Sequence, residues 1–183
     1  KNYTKIINLD TVRARYSPFA FGDKLYLYQF WGWKNSELTR EHLWSLLAVH
    51  DGTTWAAGGP GYFKEPLSQF GWDEKVRFVP YWRKDTGLKL AAKKKHVVAS
   101  GWTRGKKQLM VLVLNDNKQS AEATLRIDPK KFGFEKTVTL TMYRLGGLNG
   151  KPKAKTATAK HDTSKGLKLS LPAHSFRLLR VSE

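Results

Sequence analysis

Trp31, Trp33, His50, Asp51 and Trp55, with Asp10 upstream, are the residues whose types and spacing could do chemistry in this chain. Indole faces stack on the C–H surfaces of sugars, while carboxylates hydrogen-bond hydroxyls and can move protons. Trp31, Trp33, Asp51, Trp55 and Asp10 are therefore the substrate-binding candidates. Each has a plainer role open to it. The tryptophans can close the end of an apolar layer, a His–Asp pair can finish a helix, and Asp10 can cap a strand end. No catalytic residue is assigned, because no two carboxylates have the marks of an acid–base dyad. Asp73-Glu74 follows a helix stop and reads as a solvated turn. Other signatures fail outright. Gly58-Gly-Pro-Gly61 lacks the Lys-Ser/Thr of a phosphate loop. The five histidines (His42, His50, His96, His161, His174) show no metal-ligand spacing, so neither a metal site nor a cofactor is expected. Ser100, Ser170 and Ser175 have no nucleophile-elbow context.

The elements that must position these residues fall into two halves. In residues 1–89, Lys5-Ile-Ile-Asn-Leu-Asp10 predicts a buried parallel strand with a polar tip, and residues 11–21 an irregular segment broken by Pro18. Residues 24–33 predict a strand with both faces covered. Asn35-Ser36 caps a helix over 37–49, which carries Leu38, His42, Leu46 and Val49 on one face. A glycine-rich loop holds Trp55, and a shorter helix over 62–70 stops at Gly71. Residues 76–82 are extended, with Pro80 marking an edge or a strand end. Strand, loop, strand, helix suits the last units of a (β/α)8 barrel, where residues just past strand C-termini face the site.

In residues 90–183 the pattern changes to short alternating strands. The hairpin from Val97 to Asn115 opens this half, its second strand apolar almost throughout. Ala121, Ala123, Leu125 and Ile127 alternate with polar residues, as do Val138, Leu140 and Met142. Leu167, Leu169 and Leu171 form a fifth strand and residues 175–181 a sixth. Residues 83–95 read as a junction, and 151–165 as a lysine- and threonine-rich mobile loop. The expected architecture is α/β plus all-β: the end of a barrel followed by a small antiparallel β-sandwich.

Charge and aromatics divide oppositely. The net charge is +18, of which +4 (13 basic, 9 acidic) lies in residues 1–89 and +14 (20 basic, 6 acidic) in 90–183. Such a surplus attracts polyanions. Eighteen of the 23 aromatic residues precede residue 90, however, whereas nucleic-acid binders interleave stacking rings with their basic patch. That segregation argues against nucleic acid. With zero cysteines, disulfides and thiolate metal sites are excluded. No apolar run is long enough to span a membrane. The first residue is Lys, with no signal peptide, which reads as a processed product, a fragment or one piece of a longer polypeptide.

Arg77-Phe-Val-Pro-Tyr-Trp82, followed after a turn by Val97-Val-Ala-Ser-Gly-Trp-Thr-Arg-Gly-Lys-Lys-Gln-Leu-Met-Val-Leu-Val-Leu-Asn-Asp116, resembles the barrel-to-sandwich junction of bacterial glycoside hydrolases. The closing Leu171-Pro-Ala-His-Ser-Phe-Arg-Leu-Leu-Arg180 is similar to the last strand of such C-terminal domains. Leu46-Leu-Ala-Val-His-Asp51 and Phe70-Gly71 look most like the group related to β-N-acetylgalactosaminidases. The resemblance implies the C-terminal fragment or subunit of a secreted or cell-surface (including periplasmic) hydrolase. Its sandwich would support the barrel, and its aromatics would border a glycan site. The catalytic Asp–Glu pair would lie outside this chain. The implied partners are the remaining catalytic part of the hydrolase and a glycan; an anionic glycan would also account for the charge. The alternatives are a non-enzymatic basic module that binds polyanions (sulfated glycan, nucleic acid or an acidic surface) and a structural assembly protein.

Overall fold

The structure is a computed structural model that describes residues 7–16, 26–28, 37–55, 64–144 and 155–183. In chain order the elements are α1 (Leu9–Tyr16), β1 (Tyr26–Tyr28), α2 (Glu37–Ala48), β2 (Thr53–Trp55), α3 (Lys64–Phe70), β3 (Val76–Val79) and β4 (Leu88–Ala92). They continue with β5 (Val97–Arg104), β6 (Gln108–Asn115), β7 (Ala121–Ile127), the one-turn α4 (Pro129–Phe132), β8 (Thr137–Arg144), β9 (Lys155–Asp162), β10 (Leu167–Leu171) and β11 (Ser175–Ser182). A six-stranded antiparallel sheet runs β3-β5-β6-β11-β8-β9, and a three-stranded one runs β10-β7-β4.

β6 explains the layering. Its residues are buried from Leu109 to Asn115 without alternation, so both of its faces are covered. Leu109, Val111 and Val113 join Val97, Ala99, Leu179 and Val181 in a core closed by Ala121, Ala123, Leu125 and Ile127 of β7. Met110, Leu112 and Leu114 point the other way, into a second core. It holds Phe176 and Leu178 of β11, Ile7, Leu9 and Val12 around α1, Trp44 and Leu46–Val49 around α2, and Phe70 of α3. The order is thus helices, large sheet, small sheet. Fully burying each Leu or Val contributes about 1.5–3 kcal/mol relative to exposure, so both covers are needed.

This arrangement overturns the expected barrel end. Among the described residues only β1 and β2 are parallel, three residues each, in a two-stranded pair. The helices do not ring parallel strands; they cover the outer face of an antiparallel sheet whose apolar residues require it. The expected β-sandwich is present, with the hairpin β5–β6 in register from Val97↔Asn115 to Thr103↔Leu109.

Three segments also depart from expectation. Residues 9–16 are helical instead of a strand end and an irregular loop. Asn8 Oδ1 accepts the Thr11 amide at 3.0 Å, the bond of a helix N-cap, and Asp10 lies in the first turn, where a carboxylate suits the helix dipole. The supposed junction contains β4, which pairs with β7 from Leu88↔Ile127 to Ala92↔Ala123. The supposed lysine-rich loop contains β9, paired with β8 along eight positions. Lysines on such an exposed edge strand discourage further strand addition.

Gly101 in β5 tests how tightly the layers close. A Cβ there would lie 2.7 Å from the Met110 carbonyl oxygen and 3.2 Å from Leu88 Cδ1. Gly101→Ala is therefore expected to destabilise the chain by about 1–3 kcal/mol, the usual cost of overpacking, measured by urea unfolding with an unchanged slope.

Candidate functional site

Two constellations of polar side chains bridge the helices and the sandwich. The first is at the junction. α2 ends in a turn where Asp51 takes a left-handed conformation (φ 61°), aiming its carboxylate at the sheet. Trp102 Nε1 donates to Asp51 Oδ1 at 2.9 Å. The Ser100 hydroxyl donates to the Val49 carbonyl at 2.7 Å and accepts the Tyr81 amide at 3.1 Å. His50 Nδ1 donates to the Leu46 carbonyl at 2.7 Å, which fixes the tautomer, so Nε2 accepts from the Tyr81 hydroxyl at 3.1 Å. Trp82 stacks on the His50 ring at 5.8 Å between centroids.

The second constellation lines an open cleft of about 430 Å³ at one end of the sandwich. Asn8 and Asp10 come from the start of α1, His96 from the residue before β5, Asp116–Gln119 from the turn after β6, and His174 from the turn before β11. The turns are held rigidly. Asn115 Nδ2 donates to the Gln119, Leu171 and Pro172 carbonyls at 2.9, 3.1 and 2.9 Å, and the His174 amide donates to Asn117 O at 3.0 Å. Beneath the cleft the buried Asp116 carboxylate accepts the Leu9 amide on Oδ2 at 2.7 Å and His42 Nε2–H on Oδ1 at 2.8 Å. His174 Nδ1 stands 3.7 Å from the same Oδ1, and its ring is 4.7 Å from that of His42. Burial, followed by the neighbouring His42, holds the His174 pKa below the usual histidine range. His96 Nε2 lies 3.4 Å from Asp10 Oδ2.

The candidate residues read from sequence are distributed as follows. Asp51 is in the junction network and Asp10 is exposed on the rim of the cleft. Trp55 pairs in register with Tyr28 in the short parallel ladder. Trp31 and Trp33 lie outside the described residues. The histidine cluster was missed because its members are dispersed along the chain. One signal was present: if the second strand of the opening hairpin pairs antiparallel with the last strand, as Asn115↔Ser175 does, Asp116 and His174 become neighbours.

No family model matches the chain, and no curated protein matches it in sequence. Among solved structures it is similar to a Bacillus halodurans C-125 protein described as a "putative alpha-N-acetylgalactosaminidase", at 15% identity and a TM-score of 0.42. The match covers 79% of this chain and 31% of that one, so the chain spans less than a third of that protein. A likeness this weak assigns neither activity nor site.

Burial pushes the His50 pKa down to about 4, with the Leu46 carbonyl bond only partly opposing it. The same group titrates near 6.5 when unfolded, so between these values the unfolded chain binds more protons and stability falls as pH falls. The His50 contribution is complete above about pH 7, is lost progressively toward pH 4, and amounts to something on the order of 3 kcal/mol. Unfolding free energies at pH 7 and pH 4.5 should show this drop, and His50→Gln should reduce it.

Proposed function

We propose that the chain is a glycoside hydrolase-associated β-sandwich module that supports the segment preceding it. The observation that carries this reading is the junction. Residues of the three stretches that resemble hydrolase sequences, 46–51, 77–82 and 97–116, are tied together by three hydrogen bonds, Tyr81 to Ser100, Ser100 to Val49 and Trp102 to Asp51. A sandwich that bonds through buried polar groups to the loop after α2, and shares an apolar core with the helices, is built to brace them. Leaving one of those partners unsatisfied costs about 1–3 kcal/mol, so the brace is specific in geometry as well as apolar.

In this reading Trp31, Trp33 and Trp55 border a glycan site, Asp51 serves the junction and Asp10 the cleft rim, and the acid–base carboxylates come from the catalytic part of the hydrolase, outside this chain. The setting is extracytoplasmic, secreted or at the cell surface. The surplus of basic residues favours an anionic glycan, because Lys and Arg raise its local concentration without contacting it.

Affinity electrophoresis against neutral and sulfated N-acetylhexosamine glycans, at two salt concentrations, separates this from simple polyanion binding. Glycan retardation should fall at least about tenfold in Trp31→Ala/Trp33→Ala, given what a stacked ring contributes, and should persist in high salt. Retardation that is indifferent to the tryptophans and vanishes with salt would replace the reading with a basic polyanion-binding module. No retardation by any glycan would leave the chain as a structural element only.

A further inference from the structure

His42, Asp116 and His174 come from three distant parts of the chain and meet at one point beneath the cleft. His42 comes from the middle of α2, Asp116 from the residue after β6, and His174 from the residue before β11. One ligand-capable atom from each lies within 4.8 Å of the others. Two of the separations are 2.8 Å (His42 Nε2 to Asp116 Oδ1) and 3.7 Å (Asp116 Oδ1 to His174 Nδ1). Ligands bound at about 2.0–2.2 Å to one tetrahedral ion stand roughly 3.4 Å apart, between those values.

Two further features point to a ligand. His174 Nδ1 is shielded from solvent yet has no hydrogen-bond partner among the described residues, because Asp116 stops 3.7 Å short. Its backbone is also in the left-handed region (φ 47°), an uncommon conformation for a non-glycine residue and one that brings the ring over the buried carboxylate. A buried nitrogen without a partner is a cost that a bound ion would remove.

We propose that His42 Nε2, Asp116 Oδ1 and His174 Nδ1 bind a single zinc-class divalent ion. The ion takes the place of the proton now on His42 Nε2, which leaves to solvent. Two imidazoles and one carboxylate favour zinc, cobalt, nickel or copper over calcium or magnesium, which need several oxygen ligands. The Leu9 amide on Asp116 Oδ2 is the outer partner that fixes the carboxylate's direction. His174 is partly exposed along the cleft, so the ion enters from that side and keeps a position open to water. Lys118 on the cleft wall and the chain's net charge of +18 lower the affinity of the site without altering its selectivity. Because the ligands come from α2 and two sandwich turns, the bound ion cross-links the helical layer to the sheet.

Titration of the whole chain with Co(II) tests this directly. One equivalent should give visible bands of tetrahedral or five-coordinate cobalt, which Zn(II) displaces and Ca(II) does not. His174→Ala should weaken binding by at least about 100-fold, the upper end of what loss of even an outer partner costs. His161→Ala, at an exposed strand, should leave it unchanged. The wild-type chain supplies a test that needs no variant to fold: Zn(II) should shift the imidazole nitrogen resonances of His42 and His174, but not those of His50 or His161. Absence of the cobalt bands, binding unchanged by His174→Ala, or zinc-induced shifts confined to other histidines would overturn the proposal.

Discussion

Everything in this molecule depends on a sheet that is apolar on both faces. β6 and β11 present Leu109, Val111, Val113, Leu179 and Val181 to one side and Met110, Leu112, Leu114, Phe176 and Leu178 to the other. A sheet of this kind cannot have a wet side. The small sheet β10-β7-β4 covers one face, so α1, α2 and α3 must cover the second or leave a row of large side chains in water. The helices therefore share a core with the large sheet, across the division near residue 89 that the charge and aromatic content of the sequence suggest.

Apolar cover alone sets no register, because helices can slide on a greasy surface with little change in buried area. The polar contacts supply it. Ser100 meets Val49, Trp102 meets Asp51, and Asp116 meets both Leu9 and His42, so three points fix α1 and α2 on the sheet. Each is buried or half-buried, where an unmade bond is expensive and an incorrect placement is penalised accordingly. The same placement that locks the layers carries His42 under the cleft and Asp51 against β5. Architecture and candidate site are thus two consequences of one docking geometry.

Much of the sandwich was legible in the sequence. β7 alternates as read, with Ala121, Ala123, Leu125 and Ile127 buried, and α2 spans nearly the expected residues. These signals are strong because period and burial agree. β9 was not legible, since its Lys, Thr and Ala residues lie on an exposed edge and carry no apolar alternation. The segment 5–10 misled because Ile7 and Leu9 are buried under the start of a helix, a placement that short apolar runs do not distinguish from a strand. The barrel end failed for a related reason. Strand–helix–strand order is local information, whereas the destination of the helices was decided by the apolar second face of β6, far along the chain.

The histidine cluster shows the same limit at the level of chemistry. Spacing rules find metal sites whose ligands share a helix face or a knuckle, where the local period places them together. His42 and Asp116 are separated by 74 residues and meet only because α2 docks on the large sheet. Asp116 and His174 meet only because β6 and β11 pair with Asn115 opposite Ser175. A one-residue slip in that register would turn the Asp116 carboxylate away from α2 and leave His42 buried without its acceptor. Strand register, helix docking and the buried histidine–carboxylate cluster therefore specify one another, and this mutual dependence lets a carboxylate remain beneath an open cleft in a strongly basic protein.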